Sequence, residues 1–208
     1  METLHKWRLS IRLVLIVAIL SALLVSAAFG AQGNTSAIAT PGKQAAVPAK
    51  AFPSLELPIP QSEQEKGYLG LSGSGTFRIG QIKAPVLLIE VYSFYCPHCQ
   101  VSAARVNDLY RKIQENPELR DKIKMIGIAV GNSSFEVDSY RERYEVPFPL
   151  FSDLNMEMTE KLGVRGTPTF IGVRTDRGEG QPSFYFGEGG FEDAQQFLEK
   201  MIQMSGLK

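Results

Sequence analysis

Two cysteines occur in the 208-residue chain, Cys96 and Cys99, two residues apart in the stretch SFYCPHCQ. Thiols at this spacing can hold a metal, anchor a haem, staple a loop or exchange with another disulfide. A structural zinc needs four ligands, and outside the first 31 residues only His98 could join the two thiols, so no metal site is expected within one chain. Attachment of a c-type haem needs a histidine directly after the second cysteine, where Gln100 stands. A cysteine–histidine dyad needs a histidine from elsewhere in the fold, and none exists; a copper-delivery protein would want the same missing residue. A disulfide across so short a loop constrains the unfolded chain little, so a purely structural staple would stabilise only weakly. Exchange is the reading left strongest.

The position of the pair supports exchange. The run PVLLIEVYSF, residues 85–94, is β-branched and aromatic, apolar on both alternating faces, and reads as a strand buried on both sides. Pro97 suits the first position of a following helix, in which Cys99, Ala103, Val106, Tyr110 and Ile113 recur at helical spacing until Asn116-Pro117 stops it. Cys96 then sits at the helix N-terminus, where free N–H groups and the dipole stabilise a thiolate. Cys99, one turn on and facing inward, is placed to resolve a mixed disulfide.

Further elements are predicted as a strand over 122–130, a helix over 135–146, a short strand at FPLFSD and a short helix that Gly163 closes. Two more strands, TPTFIGV and PSFYFG, and a last helix over 191–204 complete an α/β sandwich around a central mixed sheet flanked by helices.

Strand, CPHC and helix resemble the thioredoxin superfamily, and the CPHC tetrapeptide resembles that of the DsbA group of disulfide oxidoreductases. Glu90, six residues before Cys96, stands where that superfamily keeps a buried acid, and Thr167-Pro168 in RGTPTF stands where it keeps a cis-proline before a strand. The resemblance covers about residues 66–208 and implies a thioredoxin-like fold. It implies Cys96 as nucleophile, Cys99 as resolving thiol, Glu90 as proton relay, and Thr167 and Pro168 as the surface that receives an extended substrate segment. Pro97 and His98 belong to the same implied site, His98 as a donor that lowers the Cys96 pKa. No cofactor is implied; the partners are cysteine-containing substrate proteins and a membrane or periplasmic redox partner. Only 68 residues separate Cys99 from Pro168, too few for the DsbA helical insertion and more than thioredoxin needs. The extra strand–helix material between the CxxC helix and the proline loop is more like the TlpA/ResA reductases.

Scaffold and dipeptide thus point in opposite directions of electron flow. Thioredoxin and DsbA lie near about −270 and −120 mV, a gap of about 7 kcal/mol, and lowering a thiol pKa from ~8.5 to ~3.5 is worth about the same. Stabilising the Cys96 thiolate stabilises the reduced enzyme, so the local chemistry favours an oxidant slightly over a TlpA/ResA-like reductase of the cytochrome c maturation kind. A peroxiredoxin-like peroxide reductase is the poorer fit, because Ile89 replaces the proline expected upstream of the cysteine, although Ser93 is compatible. A non-catalytic peptide-binding module of the same fold is the remaining alternative.

Composition agrees with a soluble exchange domain behind a targeting segment. The 22 basic and 22 acidic residues argue against nucleic acid as partner. Residues 1–31 hold Lys6, Arg8 and Arg12 against Glu2, leaving 19 basic and 21 acidic residues in the remainder. This basic start, followed by an apolar run over 13–29, reads as a signal peptide or an N-terminal membrane anchor, either of which places the rest outside the cytoplasm. Residues 32–65, rich in Ala, Pro, Gly, Ser and Thr at their start, are expected to form a disordered linker, and 66–208 the thioredoxin-like domain.

Overall fold

The computed structural model describes residues 51–178 and 180–207. The expected leader over 1–31 and most of the expected linker lie outside the described residues. Five strands form the central sheet: β3 (Val86–Tyr92), β4 (Ile123–Val130), β5 (Leu150–Asp153), β6 (Thr169–Arg174) and β7 (Tyr185–Glu188), in the order β5-β4-β3-β6-β7. The β3–β4 and β4–β5 pairs are parallel, whereas β6 runs antiparallel to both β3 and β7. The expected fold class is therefore the observed one.

β3 holds the centre because its VLLIEVY sequence is buried at every position. Val86, Leu88 and Tyr92 face one core, shared with Val106, Leu109, Phe197 and Met201; Leu87, Ile89 and Val91 face the other. Removing one such side chain, as in Ile89→Ala, leaves a cavity and costs about 2–5 kcal/mol.

The first core is roofed by α2 (Pro97–Glu115) and α5 (Ala194–Ser205). α2 buries Cys99, Ser102, Ala103, Val106, Leu109 and Ile113, the stripe expected from the spacing except that Leu109 rather than Tyr110 lies fully inside. α5 begins three residues later than predicted, with Asp193 as its cap accepting the Gln196 N–H at 2.8 Å. α3 (Ser134–Tyr144) starts with a reciprocal capping box between Ser133 and Glu136. α4 (Glu157–Leu162) ends, as expected, at a left-handed Gly163 with φ 72°. The strand–helix material expected between α2 and the proline loop is β4, α3, β5 and α4.

One boundary needs correction. The linker expected to run to residue 65 gives way to ordered structure by residue 51. β1 (Glu56–Pro58) pairs antiparallel with β2 (Thr76–Arg78), and α1 (Glu63–Leu69) lies between them, capped by Ser62 and closed by Gly70. Phe52, Leu55, Leu57 and Ile59 are buried in the second core against Ile89, Val91 and Ile171. The Glu65 carboxylate pairs with Arg141 of α3 at 2.8 Å, tying α1 to the far helix. These residues cover the face of β3 that α2 leaves open, which is why apolar side chains alternate through a segment otherwise rich in proline.

Candidate active site

The site forms where β3 ends and α2 begins. Cys96 takes the N-cap position in extended conformation, and Pro97 occupies the first turn, where its missing N–H has no partner to lose. Cys96 is half-buried, Pro97 and His98 are exposed, and Cys99 is fully buried. Both cysteines are free thiols. The Thr167-Pro168 peptide is cis, and the Thr167 carbonyl lies 3.2 Å from Cys96 Sγ, accepting its S–H. Residues 71 positions apart in sequence thus face each other across the site. Pro168 is buried at the start of β6, and its carbonyl accepts the Gly189 N–H at 2.8 Å, which fixes the loop to β7.

The electrostatics separate the two thiols. Partial burial pushes Cys96 up, but hydrogen bonding by the Thr167 side chain, by the backbone and thiol of Cys99 and by the His98 backbone outweighs it, holding Cys96 below the ordinary thiol range. For Cys99 burial dominates; together with its hydrogen bond to Cys96 it pushes the thiol up to about 12. One sulfur is thereby suited to ionise and attack, while the other keeps its proton until it is removed.

Glu90 supplies the third element. It points from β3 into the α2 side of the sheet, 3% exposed, and burial raises its carboxyl from 4.5 to about 8. Its charge acts on Cys99. Glu90 is therefore buried, as the apolar faces around it require.

Three contacts made by the β4–α3 segment hold this arrangement in place. The buried Asn132 accepts the Phe94 N–H through Oδ1 at 2.8 Å. The Tyr95 hydroxyl donates to Glu136 of the α3 capping box. The buried Tyr140 hydroxyl donates to the Cys99 carbonyl at 3.1 Å. From within the CxxC segment, Gln100 Nε2 donates to the Phe94 carbonyl at 2.8 Å. Sequence reasoning missed Asn132 and Tyr140. The available signal was their place at the end of a buried strand and on the inner face of a helix. His98, expected as a donor to Cys96 through its ring, contributes its backbone N–H, and among the described residues its side chain makes no hydrogen bond.

The chain is 20% identical over 96 residues to the thiol-disulfide oxidoreductase ResA of Halalkalibacterium halodurans, a match covering 46% of the chain; it spans about half, 52%, of that relative. Among solved structures it is similar to a candidate thiol:disulfide interchange protein DsbE from Chlorobium tepidum, with 13% identity, a TM-score of 0.56, and coverage of 76% of this chain and 96% of that one. It is likewise similar to MTB dsbF in mixed oxidized and reduced forms, with 14% identity, a TM-score of 0.53, and coverage of 76% and 98%. At these identities the structures establish the thioredoxin-like fold. The AhpC/TSA family model matches residues 48–186, most of the described domain and the whole CxxC-to-β6 region, and the chain belongs to the AhpC/TSA family.

Proposed function

We propose that the protein is a thiol–disulfide oxidoreductase of the TlpA/ResA/DsbE type that exchanges disulfides with cysteine-containing proteins outside the cytoplasm. The observation that carries this reading is the division of labour between the thiols. A partly exposed Cys96, lowered by surrounding N–H groups and the Thr167 side chain, stands in front of a buried Cys99 that burial keeps protonated. In the oxidising direction a substrate thiolate attacks the Cys96 sulfur of the enzyme disulfide. The Cys96–Cys99 bond breaks, and Cys99 leaves and takes a proton from Glu90. A second substrate thiolate then attacks the mixed disulfide, closing the substrate disulfide and releasing the Cys96 thiolate. Two electrons pass from substrate to enzyme, and a redox partner must remove them. The reducing direction runs the same steps backwards, with Glu90 accepting the Cys99 proton. Thr167, opposite Cys96, offers its backbone to an extended substrate segment.

Two features favour oxidation. The stabilised Cys96 thiolate is the better leaving group, and a Glu90 carboxyl near 8 is mostly protonated at neutral pH, ready to protonate Cys99. The reductase reading is favoured by a different observation, the exposed and unbonded His98 ring, because it removes one source of thiolate stabilisation from the CPHC site. Equilibration with glutathione redox buffers decides between them. The oxidant reading expects a potential above about −200 mV, and a value near thioredoxin's, about −270 mV, would reverse it. The secreted or tethered location rests on the basic and apolar N-terminal segment; among the described residues no helix is long and apolar enough to cross a membrane. Fractionation of cells expressing the full chain tests it, and recovery in the cytoplasm would count against it.

A further inference from the structure

Glu90 does not stand alone in its apolar surroundings. Two residues on along β3, Tyr92 points to the same face of the sheet. Its ring leans back beside Glu90. Gly127 is paired with Glu90 across the β3–β4 ladder, and a Cβ at Gly127 would come within 3.1 Å of Tyr92 Cε1 and 3.4 Å of Cδ1. The glycine leaves space for Leu150, whose Cδ2 would lie 2.5 Å from such a Cβ, as well as for this ring. Two buried polar atoms lie there without a hydrogen-bond partner, Glu90 Oε1 and the Tyr92 hydroxyl. The neighbouring hydroxyl is already engaged: Tyr140, its ring 4.4 Å from that of Tyr92, donates to the Cys99 carbonyl. Among the described residues, Tyr92 carries the one buried hydroxyl with no partner.

A buried donor and a buried acceptor left open on one face of one strand each carry a desolvation cost, so their retention calls for a reason. Side chains at i and i+2 of one strand share a face with their Cα atoms about 6.6 Å apart, within the span of a glutamate and a tyrosine side chain. We propose that the Tyr92 hydroxyl donates to the Glu90 carboxylate whenever Glu90 ionises, and so sets the pH range over which Glu90 exchanges a proton with Cys99. The inference rests on the exchange mechanism above and adds Tyr92 to it as a positioning residue. No covalent step changes: Cys99 gives its proton to Glu90, attacks the Cys96 sulfur and expels the bound thiolate.

The groups facing Glu90 are few. Tyr92 comes from β3, Cys99 from α2 and Tyr140 from α3, which also brings Arg141 and Asp138 to bear on Tyr92. The neighbouring strands place Gly127 and Phe170 opposite it, neither of them titratable. Burial raises both carboxyl and phenol, and the Glu90 charge further disfavours ionisation of the phenol, so Tyr92 stays a neutral donor throughout.

The test uses the reduced full chain and a symmetrical nitrobenzoate disulfide. The first nitrobenzoate thiolate is released by Cys96 and the second by Cys99. In Tyr92→Phe the first release should be unchanged, whereas the pH limb of the second should move up by about half a unit, slowing it about threefold at pH 7. Infrared titration of the buried carboxyl, identified by its loss in Glu90→Gln, should move upward by the same amount. Should Tyr92→Phe fail to fold, a fluorotyrosine at position 92, a stronger donor of the same shape, should move both readouts downward. Superposition of either folded variant on the wild type in both readouts overturns the proposal. Absence of a second release in the wild type itself sinks the exchange mechanism instead, and the infrared titration then decides the Tyr92 contact by itself.

Discussion

Replacing Glu90 by glutamine should alter the pH dependence of folding stability. The carboxyl is buried and raised from 4.5 to about 8. A carboxyl raised on folding binds its proton more tightly in the native than in the unfolded state. Its contribution is therefore fully present below the unfolded pKa and is lost as pH rises through the folded pKa. At 1.36 kcal/mol per unit the shift amounts to about 5 kcal/mol in all, of which about 3 to 4 disappears between pH 5 and pH 8. Glu90→Gln keeps the shape and removes the titration. Urea unfolding of the reduced protein should show the wild type losing about 3 to 4 kcal/mol across that window relative to the variant, with the variant the more stable at pH 8. The window closes below the ~8.5 of an unfolded thiol, where a thiol raised on folding begins to contribute, and Cys99 is common to both proteins, so it does not enter the difference. Parallel stability curves for the two proteins from pH 5 to pH 8 would refute the reasoning, because they would mean that Glu90 is solvated or ionised in the folded state.

Alkylation with iodoacetamide should modify Cys96 with a midpoint below the ~8.5 of a free thiol and leave Cys99 untouched near neutrality, as peptide mass mapping would show. Equal labelling of both at pH 7 would contradict the separation of the two thiols. Asn132→Ala leaves the Phe94 N–H without its acceptor and should cost about 1–3 kcal/mol in urea unfolding, with the m-value unchanged. Membership of the AhpC/TSA family raises peroxide reduction as a competing activity. With Ile89 in place of the upstream proline, purified protein should consume hydrogen peroxide no faster than its Cys96→Ser variant, and Cys96-dependent consumption at catalytic rates would contradict this.

The parts of the site that are local in sequence are legible in the sequence itself. VLLIEVY has no polar face apart from Glu90, which dictates a central strand and a buried acid; Pro97 marks the start of α2 and Gly163 the end of α4. The contact between Thr167 and Cys96 joins residues 71 apart, and only the family resemblance made it visible. Asn132 and Tyr140 reach the CxxC segment from 38 and 41 residues away, through one side-chain hydrogen bond each, and no periodicity announces such contacts. The segment from Phe52 to Ile59 was misread for another reason. Leu55, Leu57 and Ile59 alternate as a half-buried strand should, but Pro53, Pro58 and Pro60 break the run into a three-residue strand too short to stand out from a linker. The His98 ring shows the opposite limit. Its type suggested a direct role beside the thiolate, while its place on the exposed side of the first helical turn leaves only its backbone facing the sulfur.

The central claim is that Cys96 is the exchanging sulfur and Cys99 resolves it. The rate of disulfide exchange between the purified chain and a model protein disulfide, compared across wild type, Cys96→Ser and Cys99→Ser, tests it most directly. Cys96→Ser should show no exchange, and Cys99→Ser should stop at a mixed disulfide through Cys96 whose mass is that of enzyme plus substrate. Undiminished exchange by Cys96→Ser would contradict the account.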